Sequence, residues 1–226
     1  MNIRHLTLED FTSRLESKEP FTFLRFGDGE WNSIFEKPGC NCDGQFYAPV
    51  RDSLTRVLKR ASPNYWMGMQ PLAWRQREKE IVAWLSKRNL TELNWVWGEA
   101  LTKVSIHGML DSFFDALQER NVVLIGPNYL GQMIKWFPID LHIHVPTGGK
   151  VHCNVSHTIS NALMQSRGFK DPVFLVSAGM SAEWICHKIT QLCPGATCID
   201  TGSLFEPYIG KNIRRYHAKI IERENA

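Results

Sequence analysis

The sequence contains no run of about 18 apolar residues, so nothing in it reads as a membrane-spanning helix. No apolar h-region follows the start, where Glu9 and Asp10 already bring acidic charge. A signal peptide is therefore not expected, and the expected location is cytoplasmic. Internal repeats and low-complexity tracts are absent as well. Cysteine is sparse, with six residues (Cys40, Cys42, Cys153, Cys186, Cys193 and Cys198), and reduced thiols are the expectation. Cys40-x-Cys42 lacks the two-residue spacing of a zinc knuckle, and no second pair matches it. Charge of one sign is also missing: 26 Lys and Arg against 23 Asp and Glu leave a net charge of +3. Such a surface tolerates an anionic ligand such as a nucleotide but does not demand nucleic acid.

What is present fits an ordinary globular chain of 226 residues, 43% hydrophobic, and a single domain over residues 1–226 is expected. Leu6 to Glu16 reads as an opening helix, with Thr7 as N-cap and Asp10 completing a capping box. Apolar runs at 21–26, 65–69, 95–97, 121–125, 141–145, 172–176 and 196–200 read as strands. Helical spacing appears over 51–60, 75–88, 102–119, 129–136, 154–167 and 181–192, and a helix is expected from about Glu30. Strands alternating with helices predict an α/β fold, a Rossmann-like, mostly parallel sheet with helices on both faces. The runs at 21–26, 122–125, 173–176 and 196–200 are expected to be neighbours in it. In such sheets ligands bind beyond the carboxyl ends of the strands.

The end of the first run carries the densest chemistry. Asp28 and Glu30 flank Gly29 just past the strand, and Gly27 and Gly29 permit backbone angles that a Cβ obstructs. On an irregular turn both carboxylates can face one hard cation, Mn2+ or Mg2+, which would bridge two phosphates of a donor. Arg25 can add a charge-assisted phosphate contact. Gly-Asp-Gly is equally ordinary turn chemistry, and spacing alone leaves the two readings open. Two further strand ends, Gly126-Pro127-Asn128 and Ser177-Ala178-Gly179-Met180-Ser181, suit a nucleotide, with free N–H groups at a helix starting near Ser181. Neither completes a Gly-x-Gly-x-x-Gly or Walker loop, and Ser181 equally suits a plain N-cap. Asp200 and Gly202 end the last strand. Asp200 is placed to bind a ribose, a sugar hydroxyl or the metal, or to close the turn, and Glu206 follows as a possible base. His142, His144, His152, Cys153 and His157 lack the paired spacings of a zinc site. Trp31 is expected to pack against a sugar or base, and Lys211, Arg214 and Arg215 to form a basic tail helix.

The blocks Phe23-Leu24-Arg25-Phe26-Gly27-Asp28-Gly29-Glu30, Val122 to Gly126, Val145-Pro146, Phe174 to Ala182 and Cys198 to Leu204 together resemble the GT-D-type glycosyltransferase family. The first block resembles that family's Arg-Phe-Gly-Asp-Gly-Glu motif. The resemblance implies a Rossmann-like sheet, a nucleotide-sugar donor (often a UDP-sugar) and a divalent ion at Asp28 and Glu30. It further implies that Ser177, Gly179 and Ser181 lie beside the nucleotide, and that Asp200 and Gly202 line the donor or acceptor cleft. The acceptor implied is a glycan or another hydroxyl-bearing molecule. Two alternatives stand beside this: a non-catalytic nucleotide- or sugar-binding module, and a glycosyltransferase acting on a base in nucleic acid.

Overall fold

A computed structural model describes residues 1–37, 48–146 and 149–210. Seven strands form its sheet: β1 (Thr22–Phe26), β2 (Tyr65–Met69), β3 (Trp95–Trp97), β4 (Val122–Gly126), β5 (Leu141–His144), β6 (Val173–Val176) and β7 (Thr197–Asp200). All pairings between them are parallel, in the order β3-β2-β1-β7-β6-β4-β5. The four runs expected to be neighbours stand consecutively as β1-β7-β6-β4.

Period-two alternation sends successive side chains to opposite faces of these strands. Leu24, Phe26, Val123, Ile125, Phe174 and Val176 pack on one face. They meet α2 (Asp28–Ile34), α3 (Ala48–Lys59), α4 (Pro71–Ser86), α7 (Val155–Gln165) and α8 (Ala182–Leu192) through Trp31, Leu54, Ile81, Ile159 and Ile185. Phe23, Val122, Leu124, Val173 and Leu175 pack on the other. There they meet α1 (Leu8–Glu16), α5 (Ala100–Ile106) and α6 (Asp111–Leu117) through Phe11, Leu15, Leu101, Phe113 and Leu117. Strands buried on both sides are why these runs are almost continuously apolar.

Local chemistry accounts for most boundaries. Thr7 caps α1 as expected: its N–H donates to Asp10 Oδ2 at 2.6 Å, and the Asp10 N–H donates to Thr7 Oγ1 at 3.3 Å. The helix expected over 102–119 is two helices, because Gly108 at φ +67 ends α5 and re-aims the chain into α6. Only glycine adopts that angle without strain. The segment expected as a helix over 129–136 is a 3-10 helix, Asn128–Lys135. α4 begins at Pro71, whose fixed φ suits a first helical position, and kinks at Arg77. No helix among the described residues is long and apolar enough to cross a membrane.

The connections place the functional edge. β1 and β6 send the chain to α2 and α8 on the first face, while β4 and β7 send it to the second, through Leu130 and Met133 and through Leu204 and Phe205. Adjacent parallel strands whose exits diverge in this way leave a crevice beyond their carboxyl ends.

Candidate active site

The Arg-Phe-Gly-Asp-Gly-Glu segment does not form an irregular turn. It runs from β1 straight into α2, with Gly27 as extended N-cap (φ −98, ψ −164) and Asp28 as the first helical residue. Glu30, in the first turn, reaches back so that its Oε2 accepts the Gly27 N–H at 2.8 Å. A Cβ on Gly27 would come within 3.1 Å of that oxygen. Residues two apart on a helix do not face each other. Accordingly Asp28 is exposed, whereas Glu30 is half-buried over the start of α2. This corrects the expectation of two carboxylates converging from a turn. Among the described residues no three His, Cys, Asp or Glu side chains gather as metal ligands, His142, His144, His152 and His157 included. Asp28 and Glu30 thus fit an ion that takes most of its ligands from phosphates and water, and not one caged by protein alone.

Behind Glu30 lies an ion pair. Arg25 donates from Nε to Asp200 Oδ2 at 3.1 Å and from Nη2 to Oδ1 at 3.3 Å, a two-pronged contact across the β1–β7 seam. Gly202 makes room for it. A Cβ there would lie 1.7 Å from Arg25 Nη2, and the residue sits at φ +47. The carboxyls around this pair are hard to ionise. Burial pushes Asp200 above the usual carboxylate range, with Arg25 opposing. Burial likewise pushes Glu30 up to about 7, against hydrogen bonds to its own and the Gly27 backbone, and the charges of Asp200 and Asp28 add to the rise.

A fourth member was not anticipated from the sequence. Glu183, in the first turn of α8, is only 1% exposed, and its Oε2 has no hydrogen-bond partner among the described residues. Burial and then the charges of Glu30 and Asp200 raise its carboxyl well above the ordinary range. No sequence signal marks it, since acids in a first helical turn are commonly solvated partners of the helix dipole.

The remaining candidates are arranged around this cluster in different ways. Ser177 is buried, its Oγ 2.8 Å from Thr201 Oγ1 and its N–H donating to Ile125 O at 2.7 Å. Gly126 is a packing glycine, since a Cβ would meet Leu130 Cδ1 at 2.8 Å. Asn128 is exposed at the start of the 3-10 helix, and Gly29 is buried within α2. Gly179 has φ +55 and open space beside it. Ser181 occupies the N-cap position of α8, yet its hydroxyl does not cap: Oγ lies 3.1 Å from His152 Nδ1, whose Nε2 lies 3.3 Å from Ser53 Oγ. Glu206 is not gathered with the acids; it is buried, and Tyr129 Oη donates to its Oε1 at 3.3 Å. Trp31, expected to face a sugar or base, instead fills the core with 0% exposure, stacked on Phe35. Cys40, Cys42, Lys211, Arg214 and Arg215 lie outside the described residues. A cavity of about 360 Å3 beside α1, lined by Arg4, Thr7, Asp10, Arg14 and Trp66 among others, includes none of the cluster.

No family model matches this sequence, and no curated protein matches it. The fold is similar to a solved structure described as a new glycosyltransferase (DUF1792) from Streptococcus sanguinis. The TM-score is 0.68 at 13% sequence identity, over 96% of this chain and 92% of that one. At that identity the likeness establishes the fold: an open α/β sheet with helices on both faces, shared nearly end to end.

Proposed function

We propose that this chain is a glycosyltransferase that takes a sugar from a nucleotide-sugar donor, a UDP-sugar, and passes it to a hydroxyl-bearing acceptor. The observation that carries the reading is the Arg25–Asp200 pair with Glu30 at the carboxyl ends of β1 and β7, in a fold shared with a known glycosyltransferase. The donor's diphosphate takes the crevice between the first turn of α2 and the turn Ser177–Ser181. The uncapped start of α8 offers N–H donors there. Asp28 and Glu30 would repel a diphosphate unless a cation lies between, so they are the residues that would hold Mn2+ or Mg2+. When bound, that ion supplies charge neutralisation for the leaving nucleoside diphosphate. Arg25 is held in place by Asp200, so its guanidinium does not have to be ordered when an anion arrives. Asp200 and Gly202 border the donor or acceptor side, and Glu206 stands apart with Tyr129.

A second reading, a nucleotide- or sugar-binding module without turnover, draws on the divergence of Asp28 and Glu30 along α2. Donor turnover separates the two. Incubation with UDP-sugars and Mn2+ is expected to release UDP slowly even without acceptor. Thermal stabilisation by the sugar nucleotide with no release of UDP, under any acceptor tried, would select the binding module.

A further inference from the structure

Glu183 is buried far more deeply than an acid serving a first helical turn needs to be. A buried polar atom without a partner is costly, and such atoms are uncommon enough to require an explanation. Among the described residues its Oε2 is one, on a side chain 1% exposed. The cation that acts on it, Arg25, is engaged with Asp200. The Glu183 carboxyl meets its own backbone N–H in the first turn of α8, where the N-cap residue Ser181 is turned to His152, but this leaves Oε2 unmatched. Its electrostatic neighbours are Glu30 and Asp200, and Glu30 is only half-buried, so the solvent-facing side of the site is one side chain away. The turn immediately before it opens outward at Gly179, where a Cβ would meet nothing within 4 Å.

We infer that Glu183 is a further ligand-binding residue of this site, its unpartnered carboxyl oxygen taking a hydroxyl of the transferred sugar; this rests on the glycosyltransferase reading. The ligand class follows from donor and acceptor counting. A phosphate offers only acceptors and negative charge, so it pairs with this carboxyl only when the carboxyl is protonated. A sugar hydroxyl both donates and accepts, so it pairs with a carboxyl whether or not the carboxyl carries its proton. The residue would then discriminate between sugars rather than hold the nucleotide.

Calorimetric titration with Mn2+ of UDP, UDP-glucose, UDP-galactose and UDP-N-acetylglucosamine tests this on the wild type, Glu183→Met and Glu183→Gln. Methionine keeps much of the volume and removes the orphan oxygen, so its melting temperature is expected to be no lower than wild type. UDP is expected to bind all three proteins within about twofold. The sugar nucleotide preferred by the wild type is expected to bind Glu183→Met roughly ten- to a hundredfold more weakly, with the preference among sugars flattened. Glu183→Gln, which retains a donor and an acceptor, should lose less. An unchanged ratio of sugar-nucleotide to UDP affinity in both variants would overturn the role of Glu183 while leaving the glycosyltransferase reading in place. A wild type that binds neither UDP nor any of the three sugar nucleotides would remove both.

Discussion

The smallest structural change with a large expected effect is a methyl group at Gly202. That residue is required twice, by its φ of +47 and by the Arg25 guanidinium filling the space where a Cβ would stand. Gly202→Ala should displace Arg25 from Asp200, lower stability by about 1–3 kcal/mol and abolish donor binding. Unaltered UDP affinity in a folded Gly202→Ala protein would show that Arg25 is not part of the donor site. Glu30→Gln is milder for the fold, because an amide oxygen can still accept the Gly27 N–H. If Glu30 serves a bound diphosphate, its loss of charge should lower turnover on the order of 10²–10³-fold, read in a UDP-release assay. Asp28→Asn should act similarly without touching any core contact, since Asp28 is exposed.

Two groups shifted by desolvation give opposite responses to acid. His187, paired through Nδ1 with Tyr65 Oη at 3.0 Å, is held down to about 4 by burial, with Lys188 and Arg60 adding to the effect. Its folded value lies below the unfolded one of roughly 6.5, so its contribution is intact above about pH 6.5 and is lost as pH falls toward 4. Glu30 is raised to about 7, so its burial penalises the folded state most above pH 7 and least below the ordinary carboxylate value. Between those limits the two slopes oppose. Chemical denaturation from pH 7 to 4.5 should therefore show Glu30→Gln losing stability more steeply than wild type, and His187→Gln less steeply. Parallel curves for all three proteins would contradict both assignments.

At the scale of elements, short strands were legible because burial on both faces leaves little room for polar residues, and Thr7 with Asp10 announced α1. Helix interiors were legible by their spacing, but breaks were not. Gly108 reads as one tolerated glycine within 102–119, and only its positive φ turns that stretch into α5 and α6. Gly108→Ala should cost about 1 kcal/mol, by forcing that angle on a residue with a Cβ, and a melting curve matching wild type would deny the turn its dependence on glycine. The Asp28–Glu30 segment was visible as a cluster of chemistry, but its conformation was not. Gly-Asp-Gly suits both a turn and a helix start, and the deciding contact, Glu30 onto the Gly27 N–H, is set three residues away. Glu183 carries no sequence signal, because burial of a first-turn acid depends on packing of α8 against β1, which is distant in the chain, as well as against β7, the strand that follows it. Trp31 misled for the same reason, since proximity to the motif in sequence said nothing about which face of α2 it occupies.

For the molecule as a whole, the donor reading predicts thermodynamic coupling. UDP should bind more tightly with Mn2+ present, and Mn2+ more tightly with UDP, by the same factor. Titration in both orders checks this, and equal UDP affinity with and without the ion would mean that Asp28 and Glu30 do not face the diphosphate.

The strand order carries one more consequence. β7, the last strand of the described chain, is not an edge strand; it lies between β1 and β6 and joins β3-β2-β1 to β6-β4-β5. During synthesis the two half-sheets therefore stay apart, each with an unpaired inner edge able to recruit a foreign strand, until residues 197–200 emerge and close the seam. The same event delivers Asp200 to Arg25. A nascent chain that has not finished folding consequently lacks the Arg25–Asp200 pair on which the proposed donor site rests.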